Sequence, residues 1–336
     1  MEQTDVYKQL SAKLMMENSE ILPRIWAMIC NEEEARIVNS LPSTVSDLAK
    51  AFSKQEAEMQ QIMDSLFHKG VVFESVKEGK TYYRMPRHIV QFHDAAILWP
   101  EAPDGFMELW VDFMDNEYPR LIELVAQLKL PAFMRVIPIN ETIDSKSRVL
   151  VQEDAAELVR NARNLAVTTC VCRKSMKRCD APLEVCLQLN KGADYAIKRG
   201  TGRKIDIDEA LKILRISEEA GLVHTTDNRA GNVNVICNCC TCCCEILRHA
   251  KEINTKDILA PSRYQAQVNA EDCTGCTICV DYCPMNAISM NDEDNMAEIN
   301  DDLCIGCGLC ASNCPVEAIE LLETRPEDFI PQSNRI

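Results

Sequence analysis

Residues 273–284 read CTGCTICVDYCP and residues 304–315 read CIGCGLCASNCP. Each stretch spaces three cysteines two residues apart, adds a fourth after a gap of three, and puts proline directly behind it. The likeness extends beyond the cysteines. Val268, Asn269, Cys273, Gly275, Cys276, Cys279, Cys283, Pro284, Ala287 and Ile288 return 31 residues later as Ile299, Asn300, Cys304, Gly306, Cys307, Cys310, Cys314, Pro315, Ala318 and Ile319. Matches at a single offset mean two copies of one unit. Two intervening residues let consecutive thiolates wrap one small inorganic centre corner by corner. Gly275 and Gly306 permit the tight turn this needs, with backbone N–H groups facing the bound group. A pair of zinc ribbons shares the C-x2-C pairs. It needs only four cysteines per metal, however, and leaves the third cysteine, the longer gap and the proline unexplained.

The pattern C-x2-C-x2-C-x3-C-P resembles that of the bacterial two-[4Fe–4S] ferredoxins. The resemblance implies a pseudo-twofold domain with two cubane clusters, in which the fourth cysteine of each motif ligates the other cluster. Cys273, Cys276, Cys279 and Cys314 are then expected to hold one cube, and Cys304, Cys307, Cys310 and Cys283 the other. Pro284 and Pro315 stop the chain from running on as helix and direct Cys283 and Cys314 across to the opposite site. No inserted residue, and no Asp in place of the second cysteine, disturbs either motif, which speaks for full cubes rather than three-iron clusters.

The 336 residues have room for two or three domains. We expect an α+β multidomain chain, divided near residues 90 and 265: 1–90, 91–265 and 266–325. Eighteen of the nineteen cysteines fall between Cys170 and Cys314, so the chemistry is concentrated in the second half. Residues 1–5 have neither a basic start nor an apolar stretch, and no run reaches the length of a membrane helix. The expected location is therefore the cytoplasm. There thiols stay reduced, and cysteine clusters are read as metal ligands rather than disulfides. Residues 266–336 carry fourteen acidic and two basic residues, a net charge of −12 within a chain of −16. Such a segment repels nucleic acid and favours a redox partner with a basic docking face.

Ten further cysteines occupy the middle segment, as Cys170, Cys172, Cys179 and Cys186, then Cys237, Cys239, Cys240, Cys242, Cys243 and Cys244. Adjacent cysteines point in different directions, so the second run cannot all reach one small site. Burial as free thiols accounts for one or two of the ten. Our expectation for ligation is Cys170, Cys172, Cys179, Cys186, Cys237, Cys239, Cys240 and Cys243, on one or two more clusters. The segment is expected to be mostly helical. It has helices between Phe106 and Leu128, another from Glu153 to Leu165, a short strand at residues 166–169, and a helix from the Asp206/Glu209 capping pair to Ala220. Phrases such as TCVCR (169–173), PLEVC (182–186) and ICNCC (236–240) are similar to those of 4Fe-4S binding electron-transfer proteins of anaerobes. The loop from Lys198 to Lys204, basic and glycine-rich, lacks a full phosphate-binding fingerprint and reads first as an exposed loop.

Residues 1–90 show helices at 33–38, 46–51 and 54–69, then a hairpin from 71–76 and 81–85, an order that resembles a winged helix. Its would-be recognition helix sets Glu56, Glu58 and Asp64 against Lys54 and Lys69, a poor surface for phosphates. The function expected is a low-potential electron relay between redox proteins. An oxidoreductase with a substrate-binding or non-cubane cluster on the middle cysteines is the alternative, and a redox-sensing transcription regulator is less favoured. Self-association is open. The N-terminal segment should show no specific duplex binding in a salt-dependent DNA-binding assay; a dissociation constant of about nanomolar order at physiological salt would contradict this.

Overall fold

The computed structural model describes residues 5–147, 149–253 and 258–332. They form two compact units, one reaching to Glu123 and including Lys174–Met176, the other comprising Leu124–Arg173 and the chain from Lys177 onward. Among the described residues no helix is long and apolar enough to cross a membrane.

In the first unit the helices expected from the sequence lie at Glu32–Asn39, Val45–Ala51 and Glu56–Lys69. They are followed by the antiparallel hairpin of β1 (Phe73–Lys77) and β2 (Lys80–Arg84). Asn31 starts the first of these helices. Its side chain accepts the Glu34 N–H at 2.9 Å, while the Glu34 carboxylate accepts the Asn31 N–H at 2.9 Å. This reciprocal box satisfies two otherwise orphaned donors. Met59, Met63, Leu66 and Phe67 form the buried face of Glu56–Lys69. The aromatic core closes with the helices Ile89–Ala96 and Phe106–Asn116. Trp26 stacks on Phe92 at 4.0 Å, and Trp110 meets Phe92 edge-on at 5.2 Å.

The second unit corrects the expectation of a mostly helical middle segment. Its framework is a seven-stranded sheet of β3 (Met134–Val136), β4 (Leu165–Thr168), β5 (Cys186–Leu189), β6 (Gly202–Lys204), β7 (Val223–Asp227), β8 (Val235–Cys239) and β9 (Leu259–Ala260), in the order β6-β4-β5-β8-β7-β3-β9. All neighbours are antiparallel except β3 and β9. These strands are short, and two of them carry cysteine at positions where a strand pattern is sought in valine or isoleucine. The helix expected over Glu153–Leu165 is only Ala155–Arg160, capped by Asp154 and ended at Asn161, because Leu165 already belongs to β4. The helix after Asp206 runs as expected, Ile207–Glu219, with the Asp206 side chain accepting the Glu209 N–H at 2.8 Å. Side chains alternate along a strand. Leu165, Val167, Leu187, Leu189 and Ile236 therefore share one face with Leu158, Val159, Ile213 and Leu214 from the covering helices. Cys186, Cys237 and Cys239 fall on the other.

The C-terminal segment pairs β10 (Tyr264–Val268) with β13 (Ile319–Glu323), and β11 (Ile288–Met290) with β12 (Ala297–Ile299). It is stitched to the sheet at residues 262–264. The Ser262 N–H donates to Ile305 O at 3.0 Å, and the Ser262 hydroxyl donates to Gly306 O at 2.7 Å. The Ile139 N–H donates to Cys307 O at 3.0 Å. Gly306 has φ +63°, and a Cβ there would lie 2.1 Å from Tyr264 O, so no other residue fits this approach. Buried Arg263 donates to Glu153 at 2.7 and 3.1 Å and to Glu323 at 2.8 Å, while the Tyr264 hydroxyl donates to Glu153 at 3.2 Å. Arg263 and Glu153 are 0 % and 1 % exposed, so removing one strands the other's charge in the interior. We expect Arg263→Met to destabilise the chain by about 3–5 kcal/mol, read as a lower midpoint in anaerobic urea unfolding. A midpoint equal to the native one would show that the pair contributes nothing.

Candidate metal centres

The eight cysteines of the repeat separate into two cavities, and each takes its fourth cysteine from the other copy. Cys304, Cys307 and Cys310 line one together with Cys283; Cys273, Cys276 and Cys279 line the other together with Cys314. Their open volumes are nearly equal, about 340 and 330 Å³. The repeat returns in the hydrogen bonds. The Ala287 N–H donates to Cys283 Sγ at 3.1 Å and the Ala318 N–H to Cys314 Sγ at 3.3 Å. The Asn300 N–H donates to Ala287 O and the Asn269 N–H to Ala318 O, both at 2.7 Å. The walls are otherwise apolar, with Met285, Ile288 and Ile305 in the first cavity and Met290, Val316 and Ile319 in the second.

The two cavities differ in their access to water. Cys304, Cys307 and Cys310 are 8 %, 8 % and 7 % exposed and Cys283 is half-buried, whereas of the other four Cys279 is buried, Cys273 and Cys314 are half-buried and Cys276 is exposed. Burial pushes the Cys307 thiol up to about 12 and the Cys310 thiol well above its ordinary value, with neighbouring thiolates adding to both. Thiols this reluctant to ionise become thiolates when a metal takes the place of the proton.

The ten middle cysteines form two groups. In the first, the sulfurs of Cys179, Cys240, Cys242 and Cys243 all lie within 4.8 Å of one another. Cys179 enters from the loop after Met176, and the others come from the turn that follows β8. The second group lies on the sheet. Cys186 on β5 stands across from Cys237 on β8, next in register to Leu187 and Ile236, with Cys239 on the same face. Cys244 Sγ is 3.3 Å from Cys239 Sγ, and Cys172 hydrogen-bonds with both Cys170 and Cys244. Hydrogen bonding with Cys172 and Cys239 holds Cys244 well below the usual thiol range, and Cys172 is raised by the same sharing. The eight middle cysteines selected from the sequence are divided between the groups: Cys179, Cys240 and Cys243 in the first, Cys170, Cys172, Cys186, Cys237 and Cys239 in the second. The geometry adds Cys242 and Cys244, which nothing in the run CTCCC distinguishes from their neighbours.

Arg173, 2 % exposed, lies between the groups. Its Nε donates to Pro182 O at 3.0 Å, and its Nη1 donates to Asn238 O at 2.9 Å and to Cys240 Sγ at 3.7 Å. Its Nη2 is buried without a partner. Burial alone would lower the guanidinium's pKa; thiolate character at Cys170, Cys240 and Cys239 outweighs it and raises the value. A cation with a spare buried donor suits an anionic metal–sulfur centre. The stretch from Lys198 to Lys204 is not the exposed loop expected from the sequence. Gly200 ends the helix Asn190–Arg199, residues 202–204 are the edge strand β6, and Arg203 forms a two-pronged pair with Glu209 at 3.0 and 2.7 Å.

Residues 272–318 match the family model of the 4Fe-4S dicluster domain. No curated protein matches the chain. The matched residues contain every cysteine of the two crossed cavities, so the protein is an iron–sulfur protein, and [4Fe–4S] clusters are its cofactors. Crossing has a direct consequence. Cys283→Ala and Cys307→Ala should each remove about four irons and leave the same residual EPR signal, distinct from that of Cys276→Ala. Matching spectra for Cys283→Ala and Cys276→Ala would mean that each repeat keeps its own four ligands.

Proposed function

We propose that the protein is an electron-transfer protein with a surface port and an inner terminus. Each cluster, when bound, accepts and releases a single electron. The observation that carries this reading is the unequal burial of the two crossed cavities. Cys276 opens one to a partner, while Cys304, Cys307 and Cys310 are buried in the other. The chain continues inward from there. Lys251, at the end of the helix Leu247–Glu252, donates to Asn286 at 3.1 Å, three residues beyond Cys283. Cys244 lies three residues before that helix, whose six residues span about 9 Å at 1.5 Å each. The crossed sets, related by a pseudo-twofold axis, and the six-cysteine group on the sheet are the ligands we assign to the clusters.

The port is ringed by exposed Glu271, Asp272, Asp281 and Glu317. A redox protein with a basic docking face suits it, and added salt should slow their association. The first unit, on this reading, is a winged-helix-like docking or structural module rather than a DNA reader. Lys54 is paired with Glu33 and Glu58 at 3.1 and 2.6 Å, and Lys69 with Glu34 at 3.0 Å, so the helix Glu56–Lys69 has little cationic surface for phosphate. One observation favours a second reading, an oxidoreductase with a non-cubane or substrate-binding centre: the sheet group has two thiols more than a cubane takes.

Stopped-flow reduction of the anaerobic full chain by a low-potential donor protein tests the proposal. Cys276→Ala should abolish fast reduction of the remaining clusters, while a conservative change at an exposed site on the helix Ile207–Glu219, which covers the apolar face of the sheet, Glu219→Gln, should not. Unchanged kinetics in Cys276→Ala would mean that electrons enter elsewhere.

A further inference from the structure

Cys179, Cys240, Cys242 and Cys243 have a geometry unlike that of the cluster cavities. Among the described residues they are the one group of metal-ligating side chains in which all ligand atoms lie within 4.8 Å of one another. The Sγ–Sγ distances are 3.8 Å for Cys179–Cys240, 3.9 Å for Cys179–Cys243 and 3.8 Å for Cys242–Cys243. Four sulfurs bound tetrahedrally to one ion at about 2.3 Å are separated by about 1.63 times that length, or about 3.8 Å. A cubane needs a wider set, because each thiolate binds a different iron at its own corner of the cube. Spacing along the chain points the same way. The ferredoxin loops separate their cysteines by two residues and fetch the fourth from the other repeat, whereas here three of the four come from the tetrapeptide 240–243.

We propose that Cys179, Cys240, Cys242 and Cys243 hold a single metal ion, zinc or iron, in a tetrahedral four-thiolate site distinct from the [4Fe–4S] clusters. Both ions take this donor set and geometry. The site ties the loop carrying Cys179 to the turn at the end of β8. Arg173 Nη1, 3.7 Å from Cys240 Sγ, offsets part of the negative charge that four thiolates leave around a divalent ion. The inference goes beyond the electron-transfer reading and stands whether or not the sheet group holds a cluster.

The test measures zinc, iron and acid-labile sulfide on the full chain, purified anaerobically, and on Cys242→Ser and Cys179→Ser. Each variant should lose about one metal atom per chain and no sulfide, because a lone ion brings no inorganic sulfide. The metal lost decides between zinc and iron. Loss of about four irons with about four sulfides would make the site a cubane, and unchanged metal content would make the four groups free thiols; either overturns the proposal. The native chain gives an independent reading should the variants fail to fold. The zinc X-ray absorption edge should show four sulfurs at about 2.3 Å and no neighbouring metal, or Mössbauer spectra should resolve one high-spin iron apart from the cluster iron. Neither signal in the native chain would equally refute a single-ion site.

Discussion

The second unit depends on the seam at residues 262–264. Arg263 is the link. A guanidinium buried at 0 % exposure is tolerable only because Glu153, Glu323 and the Arg325 carbonyl engage it together. Those partners come from the sheet's covering layer and from the last strand of the dicluster segment, so the ion pair fixes one against the other. The neighbouring Ser262 and Ile139 bonds then hold the backbone of the Cys304–Cys310 loop itself. The more buried of the two crossed cavities is thereby held in place beside the sheet, which a segment tethered only by its chain would not be.

A second constraint is the two-residue period of the strands. One face of β4, β5 and β8 carries the leucines, valines and isoleucine of the core, which leaves the opposite face for Cys186, Cys237 and Cys239. The middle of the sheet, between β4 and β7, thus carries sulfurs on one face, and Cys170, Cys172 and Cys244 adjoin them from neighbouring segments. Arg173 sits beside both sulfur groups and supplies the positive charge their thiolates need.

How much of this is legible in the sequence follows from how local each determinant is. The grouping of three cysteines in each cavity is written in their spacing, and the crossing of Cys283 and Cys314 to the opposite cavities follows the ferredoxin resemblance. The helix after Asp206 and the hairpin near residue 79 are equally local, set by a cap and a turn. The seven-stranded sheet was hidden. Its strands are short, and β5 and β8 place cysteines at alternate positions that draw the eye as ligands rather than as strand residues. The division of the middle cysteines was hidden too, since Cys179 meets Cys240 across 61 residues. No spacing rule separates Cys242 from Cys243 or includes Cys244; only the three-dimensional course of the turn after β8 does.

The central claim is that the dicluster segment is joined to a third iron–sulfur centre on the sheet. Acid-labile sulfide per chain, measured with EPR of the reduced full-length protein purified anaerobically, tests this most directly. Sulfide clearly above the roughly eight atoms that two clusters supply is expected, together with a third reduced centre in the spectrum. About eight sulfides and a spectrum explained by two clusters alone would contradict it.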